Sequence, residues 1–246
     1  MLQQEIKILY LNLTTYLTSS PTFVYCFTKR LATSADKYTI SLKVFRDSVK
    51  FLSRYYSYKV YTDLETIEDI KGFAESITVI NTDNFIFLDD FKVFVLGIVE
   101  DNEIIIDPDV LIYNKLTANY NSDIIFCHRD LPSQPWYQEN IENINGSLLY
   151  SRIEKDGEIP FIPNLGFLKI NNSKLLTDYI TQYSLYRNDL LSRFTGNLYG
   201  ASILLGQYLL GILLYEGNYS YFYYRDNNSK EVYVHLAGPQ KFEIYK

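Results

Sequence analysis

The chain has 246 residues, a formal net charge of −6 at pH 7 and a hydrophobic fraction of 47%. This composition is ordinary for a globular protein and argues against disorder. The negative charge argues against a protein whose main task is to grip nucleic acid, although it is compatible with a local basic groove. Cys26 and Cys127 are too few for a disulfide framework, so we expect reduced, buried thiols.

Targeting and membrane segments are not indicated by the sequence. The start lacks a basic region followed by a long apolar core, so no secretory signal is expected. The most apolar segment, "ASILLGQYLLGILLY", is shorter than the ~20 residues of a spanning helix and carries Gln207, which favours a buried helix. We expect a cytoplasmic protein without a membrane span. Abundant Tyr, Asn and Ile are typical of AT-rich genomes and would suit a virus or phage protein. In that case the expected location is the host cytoplasm.

The predicted elements alternate between strands and helices. β-branched and aromatic runs predict strands in "TFVYC", "YKVYTD", "SITVINT" and "NEIII", and segments with helical spacing lie between them. The clearest helix is "SADKYTISLKVFRDSVKFLSRYY", whose apolar face holds Leu42, Phe45, Val49 and Leu52. This alternation predicts βαβ units and a parallel sheet.

The second half of the chain is predicted to differ in character from the first. Residues 129–162 are rich in Pro, Asn, Ser and Gln and predict a less regular segment. A helical stretch follows, and the tyrosine-rich strands "NYSYFYYRD" and "EVYVHLA" come last. We find no internal repeat and no linker, so the prediction is a single domain over residues 1–246.

An acidic turn, Asp107-Pro108-Asp109, directly follows the apolar run "EIII". Two carboxylates at a strand end can project into one small volume, where they suit a hard divalent cation that also binds diphosphate oxygens. Parallel sheets bind ligands at this edge. A solvated turn with an ordinary proline is the alternative interpretation of the same triplet.

Four segments, in this order along the chain, together resemble the GT-A glycosyltransferases. The resemblance is to the retaining, glycogenin-like and lipopolysaccharide galactosyltransferase-like family. The segments are "ADKYTISLKVFRDSVKFL", "IIIDPDVLI", "PNLGFLKIN" with Asn164, Gly166 and Asn171, and "HLAGPQK" with His235, Gly238 and Lys241. The resemblance implies an α/β GT-A fold, a Rossmann-like, mixed and mainly parallel sheet flanked by helices. It assigns nucleotide-sugar binding to about residues 21–125, and the acceptor half and closing metal and diphosphate loop to about 126–246.

The resemblance also implies roles for individual residues. Asp107, Asp109 and His235 would hold a divalent metal, Mn²⁺ or Mg²⁺, and Asp107 and Gln207 would be catalytic. The expected donor-binding residues are Asp36 and Tyr38 near the base or ribose, Asn164 and Gly166, and Gly238 and Lys241 on the diphosphate. The expected donor is a UDP-sugar.

The expected activity is metal-dependent transfer of a sugar from a nucleotide donor, a UDP-hexose, with retention of configuration. Two departures from the family pattern leave alternatives open. The acids that flank the family's Gln are absent around Gln207, and Phe242-Glu243 replaces Pro-Trp. A non-catalytic binding or structural protein on a degenerate GT-A scaffold is one alternative. A nucleotidyltransferase is another, although "CFTKRLATSADK" lacks the glycines of a nucleotide loop.

The acceptor side is less well defined, and the acceptor could be a glycan, a protein or DNA. Trp136 is a candidate for stacking on a sugar, and His128 or Arg129 could bind a polar acceptor. An inverting reaction would need a carboxylate base. The candidates for that base are Asp130, Glu139 and Asp189. The oligomeric state is not indicated by the sequence.

Overall fold

The computed structural model describes residues 20–30, 32, 34–116, 120–194, 198–224, 232–236 and 243–245 of the chain. The strands within these ranges are β1 (Thr22–Cys26), β2 (Tyr58–Thr62), β3 (Ile77–Val79), β4 (Glu103–Ile106), β5 (Val110–Ile112), β6 (Ile124–Asp130), β7 (Ile162–Ile170), β8 (Tyr221–Tyr223) and β9 (Tyr233–His235).

Helices connect most of these strands. They are α1 (Ala35–Leu52), α2 (Ile67–Ile70), α3 (Asp90–Leu96), α4 (Pro135–Asn143), α5 (Leu148–Asp156), α6 (Ser173–Arg193), α7 (Tyr199–Ile203) and α8 (Leu209–Gly217). A π-helical turn, Leu204–Tyr208, joins α7 to α8.

Seven strands form one mixed sheet in the order β3-β2-β1-β4-β7-β6-β8. β1 pairs in parallel with β2 and β4, and β2 pairs in parallel with β3. β7 is antiparallel to both β4 and β6, whereas β8 is parallel to β6. The remaining strands, β5 and β9, form a separate antiparallel pair. The prediction of a mixed, mainly parallel sheet is confirmed.

Helices cover both faces of the sheet, as predicted. On one face Tyr25 of β1 meets Phe45 of α1, with ring centroids 5.1 Å apart. On the other face Val24 belongs to the same buried cluster as Phe91 of α3 and apolar residues of α6 and α8. Because β1 and β4 are buried on both faces, their sequences are apolar runs rather than alternating patterns. The two predicted halves of the chain both contribute strands to this sheet.

The segment 129–162, expected to be irregular, contains the whole of α4 and α5. Pro135 occupies the first turn of α4, where a missing backbone N–H leaves no hydrogen bond unmade. The Ser147 hydroxyl accepts from the Tyr150 backbone N–H at 2.9 Å and caps α5. Few residues of these short helices are buried. Their sequences are therefore mostly polar and lack the apolar pattern that indicates a helix. Their buried residues are Tyr137, Leu149 and Ile153.

The apolar segment with Gln207 lies in the continuous helical stretch Tyr199–Gly217. Within the part of the chain that the structure describes, this stretch alone is long and apolar enough to cross a membrane. About two thirds of it (67%) is nevertheless buried inside the protein. Leu204, Leu209 and Leu210 are fully buried in the core, which agrees with the predicted core helix.

Candidate active site

The acidic turn lies between β4 and β5, at the carboxyl end of β4. All four residues of β4 are buried, and the Asp107 backbone N–H continues its pairing with β7 by donating to Gly166 O at 2.9 Å. The Val110 N–H donates to Asp107 O at 3.1 Å, which closes the turn. The backbone of the turn is therefore fixed on both sides, and the two carboxylates leave the sheet edge from a rigid position.

His235 reaches this turn because β9 pairs with β5. In that pairing Val110 is opposite His235, and the Leu236 N–H donates to Asp109 O at 2.9 Å. His235 Nε2 lies 3.4 Å from Asp109 Oδ1. Residues more than a hundred positions apart in the sequence thus meet through one short strand pair.

Asp107, Asp109 and His235 form a ligand set that fits a divalent cation. One donor atom from each lies within 4.8 Å of the other two. Two carboxylate oxygens and one neutral imidazole nitrogen suit Mn²⁺ or Mg²⁺ better than a soft metal. The three predicted metal ligands are therefore brought together.

A cavity of about 900 Å³ opens beside this set at the carboxyl ends of β1 and β4. Its size is at the upper end of the ~300–1,000 Å³ typical of small-molecule sites. The predicted site residues on its wall are Tyr38, Asp107, Asp109, Asn164, Gln207 and His235. Its other lining residues that matter below are Phe27, Asp89, Lys92, His128, Asp130, Trp136 and Tyr137.

Lys92, which sequence analysis did not single out, supplies a buried positive charge at the cavity wall. Its Nζ lies 2.7 Å from Asp107 Oδ1 and 3.9 Å from Asp89 Oδ1, and it donates to Leu165 O at 3.0 Å. Burial alone would lower the pKa of Lys92, but Asp107 and Asp89 raise it above its usual value. A single lysine within the otherwise apolar run "FKVFVL" is the sequence feature that could have indicated it.

Asp89 is a second cavity residue that the sequence did not indicate. Its carboxylate is buried, and Oδ2 has no hydrogen-bond partner. Burial raises the pKa of Asp89 to about 6, although Lys92 acts in the opposite direction. A Cβ at Gly206 would stand 2.1 Å from Asp89 Oδ2, so the glycine allows the π-helical turn to approach this carboxylate. π-helical turns are frequent at functional sites.

Asp130, which also lines the cavity, is the centre of a hydrogen-bonded group. Its Oδ2 accepts from the Tyr137 hydroxyl at 3.1 Å and from Asn164 Nδ2 at 3.3 Å. Its Oδ1 lies 3.3 Å from His128 Nε2. Burial would raise the pKa of Asp130, but these three partners lower it below its usual value. The Tyr137 hydroxyl also lies 2.9 Å from Gln207 Oε1 and so links Asp130 to the predicted catalytic residue.

A thiol and two imidazoles lie at the floor of the site. Cys127 Sγ is fully buried and lies 3.4 Å from His128 Nδ1. Burial would raise the pKa of Cys127, but His128 and His235 lower it to about 7. Burial would lower the pKa of both histidines, yet the carboxylates and Cys127 raise that of His128 to about 9 and that of His235 well above its usual value.

Tyr38 lies at the other end of the cavity, where β1 runs into α1. Its ring stacks against Phe27 with centroids 5.9 Å apart, and its hydroxyl donates to Asp69 Oδ2 at 2.7 Å. Both rings line this end of the cavity, although little of either is exposed. Asp36 is exposed in the first turn of α1 and, among the described residues, is not part of the cavity wall.

Gly166 is buried behind His235 and not on the described cavity wall. A Cβ at this position would lie 2.9 Å from His235 Nδ1 and 3.1 Å from Cys127 Sγ. The absence of a side chain at Gly166 therefore makes room for the His235 ring. Gly238 and Lys241, predicted to bind the diphosphate, lie outside the described residues.

Not all residues proposed from the sequence for the acceptor side line the described cavity wall. Trp136 lines the cavity and is 37% exposed, which leaves its ring available to a ligand. The Arg129 guanidinium stacks over the Tyr223 ring at 4.3 Å and is not on the described cavity wall. Of the three candidate bases, Asp130 lines the cavity. Glu139 is exposed on α4, and Asp189 accepts from the Leu148 N–H and pairs with Arg193.

Comparisons with known proteins gave matches among solved structures. No protein-family model matches the chain, and no curated protein matches it. A crystal structure of the galactosyltransferase LgtC in complex with donor and acceptor sugar analogues is similar over 89% of this chain and 87% of LgtC, with 15% identity and a TM-score of 0.47. The glycosyltransferase GlyE of Streptococcus pneumoniae TIGR4 is similar over 85% of this chain but 46% of GlyE, with 15% identity and a TM-score of 0.44.

Proposed function

We propose that this protein is a metal-dependent glycosyltransferase that takes a sugar from a nucleotide donor, a UDP-hexose, and transfers it with retention of configuration. The observation that carries the proposal is the meeting of Asp107, Asp109 and His235 within 4.8 Å at the wall of a cavity of about 900 Å³. Glycosyl transfer places negative charge on a departing diphosphate, and this ligand set would hold the cation that offsets it.

The protein's own groups complement the same charge. A bound Mn²⁺ or Mg²⁺ would supply Lewis-acid stabilisation of the diphosphate. Lys92 is a fixed positive charge 2.7 Å from Asp107 Oδ1, so it lies on the same side of the cavity as the ligand set. Preorganised charges of this kind typically contribute 10²-fold or more to a rate.

Two further regions of the cavity would accommodate the rest of the donor. The stacked rings of Phe27 and Tyr38 offer an apolar surface for a nucleotide base. Asp89 also lines the cavity, and its carboxylate would accept hydrogen bonds from sugar hydroxyls. Gln207 and Asn164 present amide groups to the same space. This arrangement supports a nucleotide sugar rather than a free nucleotide as the ligand.

The state of Asp130 supports a retaining outcome. Of the carboxylates suggested as an inverting base, it alone lines the described cavity wall. It already accepts from Tyr137 and Asn164, and its lowered pKa makes it a weak base. In a retaining reaction, the departing phosphate oxygen can take the acceptor proton, so an enzyme base is not required.

Calorimetry with UDP, in the presence and absence of Mn²⁺, tests the proposal. The wild type should bind UDP in a Mn²⁺-dependent manner, and Asp109→Asn should weaken that binding by about 10- to 100-fold. Asp178→Asn is the matched control, because that carboxylate pairs with Lys174 on the exposed face of α6. Equal UDP affinity in the wild type and Asp109→Asn would contradict the proposed site.

Activity is measured separately as UDP release from a panel of UDP-sugars. The anomeric configuration of the transferred sugar, followed by NMR, tests retention. Mn²⁺-dependent UDP binding without turnover of any donor would favour the non-catalytic alternative, a binding protein built on the same scaffold. The panel of acceptors should include glycans, proteins and DNA.

A further inference from the structure

The two histidines at the cavity floor direct the same ring nitrogen toward a carboxylate. His128 Nε2 lies 3.3 Å from Asp130 Oδ1, and His235 Nε2 lies 3.4 Å from Asp109 Oδ1. Histidines that bind a metal almost always donate their second ring N–H to a carboxylate, carbonyl or water, which fixes the tautomer and the ring orientation. This geometry leaves Nδ1 of both rings for another partner.

Both Nδ1 atoms face the Cys127 thiol. His128 Nδ1 lies 3.4 Å from Cys127 Sγ. His235 Nδ1 and Cys127 Sγ both border the position that a Gly166 Cβ would take, at 2.9 and 3.1 Å. His235 Nδ1 is buried without a well-aligned hydrogen bond, in a side chain that is 10% exposed. One sulfur and two nitrogens therefore surround a single point, within 4.8 Å of one another.

We propose that Cys127, His128 and His235 form a binding site for Zn²⁺, which shares His235 with the ligand set of the acidic turn but is otherwise made of different residues. A thiolate and two imidazoles are soft to borderline ligands, and they select Zn²⁺ over Mn²⁺ or Mg²⁺. Zinc bonds of about 2.0–2.3 Å place tetrahedral ligand atoms roughly 3.4–3.6 Å apart, so closing the site requires movements on the order of 1 Å. Because His128 and His235 line the cavity, water can take the fourth position.

The site would compete with the proposed donor-metal site, a consequence that rests on the proposed function. His235 belongs to both ligand sets. A ring that binds Zn²⁺ through Nδ1 and donates Nε2–H to Asp109 has no lone pair on Nε2 for Mn²⁺. Zn²⁺ is therefore expected to act as an inhibitor whose effect excess Mn²⁺ relieves. The zinc site itself does not depend on that outcome.

Metal titrations of the purified protein test the site. Co²⁺, used as a spectroscopic substitute for Zn²⁺, should produce a thiolate-to-metal charge-transfer band that one equivalent of Zn²⁺ removes. Cys127→Ser should abolish the band and weaken Zn²⁺ binding by at least about 100-fold, measured by competition with a chromophoric chelator. Cys26→Ser is the matched thiol control and should retain both properties, because Cys26 lies outside the cluster.

A third variant separates this proposal from the proposed function. Asp107→Asn should lose Mn²⁺-dependent UDP binding and keep the Co²⁺ band, whereas Cys127→Ser should show the opposite pattern. His128→Asn provides a second test, with the same loss of tight Zn²⁺ binding expected, should Cys127→Ser prove unfolded by circular dichroism. The proposal is overturned if the wild type shows no charge-transfer band, or if the band survives in Cys127→Ser or disappears in Cys26→Ser.

Discussion

Lys92 Nζ lies 2.7 Å from Asp107 Oδ1, pairing a buried lysine with a half-buried aspartate at the cavity wall. The lysine side chain is 10% exposed and the aspartate side chain 26%. The first carboxylate of the acidic turn is therefore paired with a cation supplied by the protein. A metal ion bound at the turn would compete with Lys92 for the same carboxylate.

Removal of the Lys92 charge should change the affinity for the metal and the affinity for the diphosphate in opposite directions. We expect Lys92→Met to bind Mn²⁺ alone about 10-fold more tightly, equivalent to about 1.4 kcal/mol, because Asp107 is released and a like charge is removed. The affinity for UDP in saturating Mn²⁺ should fall, since a positive charge near the diphosphate is lost. Calorimetry measures both affinities. Lys92→Arg retains the charge and is the control, and parallel changes in the two affinities would contradict this role.

A methyl group at Gly166 should displace His235. The added Cβ would stand 2.9 Å from the imidazole and 3.1 Å from Cys127 Sγ, closer than side chains normally approach. We expect Gly166→Ala to weaken Mn²⁺ binding by about 10-fold or more and to lower the free energy of unfolding by about 1–3 kcal/mol. Gly72→Ala is the matched control, because its Cβ would meet nothing within 4 Å. Metal titration and urea unfolding of both variants decide the matter, and identical behaviour would show that His235 is not positioned by Gly166.

Some site residues were predicted from the sequence and others were not. The two groups differ in how the fold brings them to the site. Asp107, Asp109 and His235 belong to short segments with a recognisable order, and the structure brings them within 4.8 Å. Lys92 on α3 and Asp89, the residue that precedes this helix, were missed because lysines and aspartates are usually solvated. Only the packing of α3 against the sheet buries them.

The fold likewise has parts that local sequence patterns predict and parts that depend on tertiary contacts. The parallel strands β1 to β4 are short apolar runs between helical segments, and the sequence pattern predicts them directly. β7 lies antiparallel between β4 and β6, and its sequence "IPNLGFLKI" contains both proline and glycine. Its strand pairing is decided by tertiary contacts with both neighbours, which no local pattern contains. Cys127 and His128 were not grouped with His235 for the same reason.

The raised pKa of Asp89 predicts a pH-dependent contribution to stability. Its pKa is about 6 in the folded protein, above the usual 3.8, so the folded state holds the proton more tightly than the unfolded state. This difference stabilises the fold below pH 4 and is lost as the pH rises through about 6. We therefore expect Asp89→Asn to become more stable relative to the wild type between pH 4 and pH 7, by up to about 3 kcal/mol. Urea unfolding across this range measures the difference, and a constant difference would contradict a raised pKa.

Tyr137 should control the position of Gln207. Its hydroxyl lies 3.1 Å from Asp130 Oδ2 and 2.9 Å from Gln207 Oε1, and its ring is buried. Tyr137→Phe keeps the ring and removes one hydroxyl, whose hydrogen bond is worth about 1 kcal/mol, or roughly a fivefold change in an equilibrium or rate. Because Gln207 is free to turn away from the donor in this variant, we expect kcat to fall about fivefold or more with little change in the KM for the donor.

Tyr150→Phe is the matched control, since the Tyr150 hydroxyl contacts Glu154 on the exposed side of α5. A structural role for Tyr137 alone would lower the melting temperature and leave kcat of the folded enzyme unchanged. The positioning role predicts an unchanged melting temperature and a lower kcat, because the buried ring still fills its space while the hydroxyl that orients Gln207 is gone. A Tyr137→Phe enzyme with wild-type kcat would therefore exclude Tyr137 as the residue that positions Gln207.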